Sequence, residues 1–194
     1  MYEVTFNDKT VKVNTSVSLF SPDGADKGTL SMLKHVDFSE EDVLCDLGCG
    51  AGIVSLAACC FGVKPSNIVM TDVDFEATRI ASENMKINGF DGFTAVTGDA
   101  FTAVKQSGFT LILSNPPYHT DFKVAKSFIE KGFNRLSLGG KMYMVTKRKD
   151  WYKNKLISIF GGVKVFEEDG GYFVFEAEKR KDTYAGTKPK KKGK

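Results

Sequence analysis

Four short segments of this 194-residue chain hold residue types that could do chemistry. The first is Asp46-Leu47-Gly48-Cys49-Gly50-Ala51-Gly52-Ile53. Glycines there would let the backbone come close to a ligand. The spacing is G-x-G-x-G, not the G-x-G-x-x-G of a dinucleotide site, and no Lys-Ser or Lys-Thr follows as in a phosphate-binding loop. A leading carboxylate, Asp46, would repel phosphate and suits an ammonium group. A plain glycine-rich turn is the other reading. The second segment is Thr71-Asp72-Val73-Asp74. A carboxylate about 20–25 residues past a glycine loop is where nucleoside-binding sheets hold a ribose diol. A helix N-cap is the alternative, and Asp74 fits that role better than Asp72. The third is Gly98-Asp99-Ala100, where Asp99 could accept from the exocyclic amine of a bound base or cap a turn. The fourth is Ser114-Asn115-Pro116-Pro117-Tyr118. Asn115 precedes a proline and is pushed to an extended backbone. Two prolines stiffen the loop and remove two N–H donors. What remains is a pair of acceptors, the Asn115 side-chain oxygen and the Pro116 carbonyl, able to hold both protons of a planar NH2 group. Tyr118 offers a flat face for a base.

These residues need a scaffold, and the hydrophobic rhythm supplies one. Short apolar runs at 43–47, 67–72, 93–96, 109–114 and 141–146 predict strands. Helical patterns at 53–61, 75–88, 122–137 and 151–160 alternate with them. Such alternation predicts a mostly parallel sheet covered by helices on both faces. Two further strands, 164–167 and 172–177, flank Gly170-Gly171. That two-glycine hairpin predicts an antiparallel strand at the C-terminal edge of the sheet. At the other end, 3–6 and 10–13 alternate apolar and polar residues around Asn7-Asp8-Lys9, which predicts a β-hairpin. All four chemical segments follow strands, at the edge where open α/β sheets bind ligands.

With those motifs in order, the chain resembles class I S-adenosylmethionine-dependent methyltransferases with an N-P-P-Y amino-methylation motif. Within them it is similar to the methyltransferase small domain group, the catalytic halves of RsmC/RlmG-like ribosomal RNA guanine-N2 methyltransferases. The likeness covers almost the whole chain. It includes an upstream signature, Leu19-Phe20-Ser21-Pro22-Asp23-Gly24-Ala25-Asp26-Lys27-Gly28-Thr29. The resemblance implies a Rossmann-like sheet and S-adenosyl-L-methionine as cofactor. It implies that Gly48 and Gly50, with Cys49, lie along the methionine moiety. Asp46 would support the ammonium end, Asp72 with Val73 the ribose, and Asp99 with Ala100 the adenine. Asp26 and Gly28 would lie near the cofactor. Asn115, also close to the cofactor, would orient the target amine with Pro116, Pro117 and Tyr118. Two-domain members of the group carry a further N-terminal copy that helps hold RNA, where this sequence has a short hairpin.

Composition sets the outer limits. The chain is 42% hydrophobic and 26% charged, which excludes a disordered or fibrous protein. No apolar run approaches the ~20 residues of a membrane helix, and the first 30 residues show no signal-peptide pattern. Cys45, Cys49, Cys59 and Cys60 match no zinc spacing and are expected as reduced thiols in a cytoplasmic protein, with no metal. His35 is expected to be structural, and His119 to touch substrate or solvent. Residues 179–194 carry eight basic residues against one acid, or +7, while the other 178 carry 19 against 23, or −4. A basic tail on an acidic body suits RNA as partner, ribosomal RNA or a ribosomal particle. The segment 147–155 mixes five bases with Trp151 and Tyr152, which suits either a nucleic-acid backbone with a stacked base or a solvated helix start. The expected organisation is a hairpin extension at 1–18, a methyltransferase domain at 19–180 and a basic tail at 181–194. Alternatives to guanine N2 are adenine N6 in RNA or DNA, a protein glutamine amide, and a cofactor-binding RNA chaperone without turnover.

Overall fold

Runs of Val, Ile, Leu and Met closed by small or polar residues become the strands of a central sheet. The structure is a computed structural model that describes residues 1–16, 24–117 and 122–186. In chain order its elements are β1 (Tyr2–Phe6), β2 (Lys9–Val13), α1 (Lys27–Leu33), β3 (Leu44–Leu47), α2 (Ile53–Cys60), β4 (Ile68–Asp72) and α3 (Phe75–Ile87). There follow β5 (Thr94–Thr97), β6 (Phe109–Ser114), α4 (Phe122–Arg135), β7 (Leu136–Thr146), α5 (Lys149–Phe160), β8 (Lys164–Glu168) and β9 (Tyr172–Glu178). Strands β3 to β9 form one sheet in the order β5-β4-β3-β6-β7-β9-β8. The first five of that order are parallel. The β8–β9 hairpin closes the far edge, with β9 antiparallel to β7 and β8 outermost. This is the Rossmann-like arrangement expected.

Alternate residues of each strand feed opposite faces. Leu44, Met70, Leu113, Tyr143 and Val174 join the core beneath α1, α2 and the hairpin, whereas Cys45, Val69, Ile112, Met144 and Phe175 join the core beneath α4 and α5. Each fully buried Leu, Ile or Phe contributes about 1.5–3 kcal/mol. The chain runs from β3 outward to β5 and then returns to β6 on the other side of β3. Ligands bind at such a reversal point, because neighbouring βα loops splay apart there and leave a crevice. The loops after β3 and β6 both open at it.

One stretch differs in type from the sequence reading, while other boundaries move by a residue or two. The helix expected to reach Ser137 ends at Arg135, and β7 starts at Leu136. Leu136 pairs with Phe109 before the register shifts toward Leu111. The shift lies at Gly139 and Gly140, where Gly139 has φ +80° and a Cβ on Gly140 would stand 2.7 Å from the Phe109 carbonyl oxygen. Glycines read as a helix stop serve here as a β-bulge. The buried Lys179 ammonium donates to the Leu136 carbonyl at 2.8 Å and satisfies it.

The hairpin turn uses Asn7 and Asp8 at φ +46° and +61°, the left-handed pair a tight two-residue turn requires. Phe6, Val11 and Val13 are buried in the same core as Met32 and Leu56. Two asparagines one turn apart, Asn84 on α3 and Asn88 capping its end, bind the backbone at the end of β2. Asn88 exchanges hydrogen bonds with Lys12, and Asn84 does so with Asn14. Asn84 also donates to the Ala51 carbonyl at 2.9 Å, so one side chain joins hairpin and glycine loop.

Candidate active site

β3 delivers Asp46 and then the loop. Gly48, Gly50 and Gly52 stand at φ +75°, +50° and +80°, left-handed conformations that disfavour a side chain. The Gly48 and Cys49 N–H groups donate to the Thr71 carbonyl at 2.8 and 3.0 Å and tie the loop to the end of β4. Asp46 is only 2% exposed. One of its oxygens accepts from the Ser55 hydroxyl at 2.8 Å and the Ser55 N–H at 3.2 Å. Burial pushes its carboxyl up to about 7, partly offset by the bonds from Ser55. A buried carboxyl of that kind favours a positive group beside it.

Asp72 is already engaged. One oxygen accepts from the Gly50 N–H at 3.0 Å and the other from the Asp74 N–H at 3.0 Å. Each oxygen keeps a second lone pair for a hydroxyl donor. Sequence reasoning offered Asp72 a ligand to hold or a helix to cap; the structure also has it bracing the glycine loop. Asp74 caps α3 through the Glu76 N–H, as its spacing suggests. Asp99 is exposed, and its carbonyl accepts from the Thr102 N–H in a turn. Ala100 sits at φ +52° though it is not glycine, and the buried Thr71 hydroxyl donates to its carbonyl at 3.2 Å. Such outliers persist where surrounding bonds hold them.

The Asn115 amide is fixed on one side only. Its Nδ2 donates to Asp26 Oδ1 at 2.6 Å and to the Thr29 hydroxyl at 3.0 Å. Rotating the amide would set its oxygen against the Asp26 carboxylate, so the orientation is locked. Oδ1 is buried and has no hydrogen-bond partner among the described residues. It is an acceptor with two open lone pairs. Asp26 serves two tasks, because the same oxygen caps α1 through the Thr29 N–H at 2.9 Å.

A pocket of about 430 Å³ opens between these loops, a size that suits a small-molecule ligand. Asp26, Asp46, Gly48, Cys49, Gly50, Asp72, Val73, Asp99, Ala100, Asn115 and Pro117 all line it. Two expected residues do not. Gly28 faces Tyr172 instead, where a Cβ would lie 2.7 Å from the ring, so its lack of a side chain serves packing rather than a ligand. Pro116 is buried behind the lining. Tyr118 and His119, like residues 19–23 of the upstream signature, lie outside the described residues. Sequence reasoning missed Tyr2, Val124 and Phe128, which also line the pocket. They come from β1 and α4, and no local pattern marks them.

The weaker signals resolve structurally. All four thiols are buried; burial holds Cys45 and Cys49 well above the ordinary thiol range and pushes Cys59 up to about 12. They act as small apolar side chains. Among the described residues no three His, Cys, Asp or Glu side chains gather as a metal site would need. His35 stacks on Phe166 at 4.1 Å and meets Glu168 at 2.7 Å, a structural role. Trp151 is stacked on Phe122 at 4.4 Å, so that face is not open to a base.

The family model for the methyltransferase small domain matches residues 10–176. The chain belongs to that family. Curated relatives include ribosomal RNA small subunit methyltransferase C from Sodalis glossinidius, 29% identical over 171 residues, 86% of this chain and 48% of the relative. The protein of that name from Cronobacter sakazakii is 30% identical over 179 residues, 90% of this chain and 51% of the relative. The chain thus spans about half the length of the curated relatives it matches. Among solved structures, the T. thermophilus 16S rRNA N2 G1207 methyltransferase (RsmC), in complex with AdoMet and guanosine, superposes with a TM-score of 0.83. It is 22% identical and covers 92% of this chain and 50% of its own. A methyltransferase from Pyrococcus furiosus gives 0.71 at 20% identity, over 88% of this chain and 89% of its own. Both likenesses speak to the fold.

Proposed function

We propose that this chain transfers a methyl group from S-adenosyl-L-methionine to an exocyclic amine of a nucleobase, guanine N2 in ribosomal RNA, in the cytoplasm. The observation that carries the reading is the locked Asn115 amide, whose buried oxygen, unpartnered among the described residues, stands at the pocket beside the glycine loop. An acceptor-only atom held this way binds a hydrogen on the reacting group. It therefore favours an amine over a keto oxygen or a bare ring nitrogen.

The pocket residues fit the cofactor. Buried Asp46 is relieved by an ammonium group. Asp72 has a lone pair left on each oxygen for the ribose hydroxyls, and the exposed apolar face of Val73 with Ala100 suits a flat base. When bound, the cofactor supplies an electrophilic methyl on a sulfonium. The chain then has to position the nucleophile. Asn115 Oδ1 accepts one N–H of the amine, aiming the nitrogen lone pair at the methyl. As positive charge builds on nitrogen, this acceptor binds more strongly, which stabilises the transition state more than the ground state. The names of the relatives, ribosomal RNA methyltransferases matched across about half their length, support the substrate class.

The test is transfer from radiolabelled cofactor to total RNA, DNA and protein, followed by nucleoside and amino-acid analysis. N2-methylguanosine in RNA is the expected product. Label in N6-methyladenosine or methylglutamine would redirect the reading, and cofactor binding without any transfer would leave the chain a non-catalytic cofactor binder.

A further inference from the structure

β7 runs beside β6 in parallel, with Met144 level with Ser114. The strand end after Thr146 therefore stands next to the Asn115 loop. With strands about 4.8 Å apart and a rise of about 3.3 Å per residue, Lys147 starts roughly 8 Å from Asn115. Three cations follow in a row, and each lies over an aromatic ring. Lys147 Nζ is 4.6 Å from the Tyr172 ring centre, Arg148 Cζ is 4.8 Å from Phe122, and Lys149 Nζ is 4.8 Å from Phe173. Lys149 also pairs with Glu167. Lys147 and Arg148 are exposed and have no carboxylate partner among the described residues.

That difference matters. An ion pair fixes a cation and cancels its charge. A ring fixes a cation and leaves the charge uncompensated. A guanidinium lying on a ring also keeps its N–H fork pointing outward, in the geometry that meets phosphate. Lys34, Lys164 and Lys155, by contrast, are paired with Glu168, Glu176 and Glu130.

The two rings belong to opposite faces of the sheet. Tyr172 packs into the core on the α1 side and touches Gly28, two residues from the Asp26 that holds Asn115. Phe122 opens α4, directly after the Asn115 loop, and stacks on Trp151 on the other side. A polynucleotide strand laid across the strand ends, with one base turned down to Asn115, would meet Lys147 on one flank and Arg148 on the other. We propose that Lys147 and Arg148, seated on Tyr172 and Phe122, form a two-point phosphate clamp that grips the RNA backbone on either side of the methylated nucleotide. The proposal rests on the RNA-methylating reading above. It gives the aromatics of this rim a different task from base stacking, because their faces already carry cations or each other.

The experiment measures binding of a short fluorescent, guanine-containing single-stranded RNA to the full chain across a series of KCl concentrations. Cofactor affinity and melting temperature are measured in parallel. Lys147→Gln with Arg148→Gln is expected to lower RNA affinity roughly tenfold at low salt. It should flatten log affinity against log salt by about 1.4, about 0.7 for each neutralised phosphate on a single strand. Cofactor affinity should stay unchanged. Phe122→Leu keeps every charge but unseats Arg148, and is expected to raise KM for RNA with little change in kcat. Lys86→Gln, an exposed lysine on α3, should leave the slope as it is. An unchanged slope in the double variant, while the parent binds and methylates RNA, overturns the clamp and leaves the enzymatic reading standing. An equal fall with Lys86→Gln also overturns it, since bulk charge would then suffice. A parent protein that neither binds nor methylates RNA overturns both, and so would capture of an acidic peptide in place of RNA.

Discussion

Asn115 shows how a single amide becomes a directional tool. Its NH2 group is used up by Asp26 and Thr29, and only the oxygen is left to act. Asn115→Ala is expected to abolish turnover while sparing cofactor affinity, because the bond it removes strengthens at the transition state. Thr29→Val removes one of the two restraints and should slow single-turnover methyl transfer about tenfold, the worth of one hydrogen bond. Thr29→Ser should restore it, whereas equal rates in all three Thr29 forms would mean that Asp26 alone orients the amide. Asp46 gives a pH signature. Its carboxyl titrates near 7 in the folded chain, and a cationic ligand needs it ionised. Below pH 7 binding must release a proton, so cofactor affinity should fall by up to about tenfold per unit. Calorimetry on Asp46→Asn should show weaker binding with a flat pH profile. The stability sign is the reverse of a salt-bridged acid's. A raised folded pKa means that the free protein loses stability as pH rises from about 4 to 7. Above pH 7 Asp46→Asn should therefore be more stable than the parent, by at most about 4 kcal/mol. The sequence made Asn115 and the glycine loop readable because each is contiguous, with its chemistry in neighbouring residues. The Asp26–Thr29 lock spans almost ninety residues of chain, and nothing local announces it.

At the scale of elements, the strand and helix pattern was legible wherever apolar periodicity was strong, and the misread stretch was the one where glycine has two meanings. Gly139 and Gly140 end a helix in one reading and bulge a strand in the other; pairing across to Phe109, a long-range event, decides it. The hairpin teaches the same lesson. Its alternation predicts two strands but not where they dock, because docking depends on Asn84 of α3 and on Asn88 at its C-cap. Asn84 is fully buried and holds both the chain after β2 and the Ala51 carbonyl of the glycine loop, and Tyr2 of the hairpin lines the pocket. We propose that residues 1–16 help to form the pocket rather than standing as a separate extension. Asn84→Ala should cost about 3 kcal/mol by stranding buried backbone groups, a fall of about 6–12 °C in Tm for a chain of this size. It should also weaken cofactor binding. A variant that melts early yet binds the cofactor with parental affinity would separate hairpin from site.

For the whole molecule, charge is unevenly placed, and that was plain from the sequence alone. The body is net negative, so the proposed RNA substrate would meet repulsion over most of it and attraction at two places, the rim at Lys147 and Arg148 and the basic C-terminal segment. Residues 187–194 lie outside the described residues, but their five lysines are a fact of the sequence. The two places are expected to do different work. A run of lysines gathers phosphate without regard to geometry, which raises encounter and general affinity. Cations seated on rings beside Asn115 set where one nucleotide lies. Deleting residues 188–194 should therefore lower RNA affinity and flatten its salt dependence, by about 0.7 for every phosphate that the segment neutralises. Tm, cofactor affinity and the methylated base should be unchanged, because phosphate contacts position while base contacts specify. At saturating RNA the truncated chain should turn over at the parental rate, since the groups that orient the amine are intact. A salt slope that survives the deletion would assign the segment to solubility. A change in the methylated base would mean that the segment reads sequence, and the division of labour between tail and rim would then be wrong.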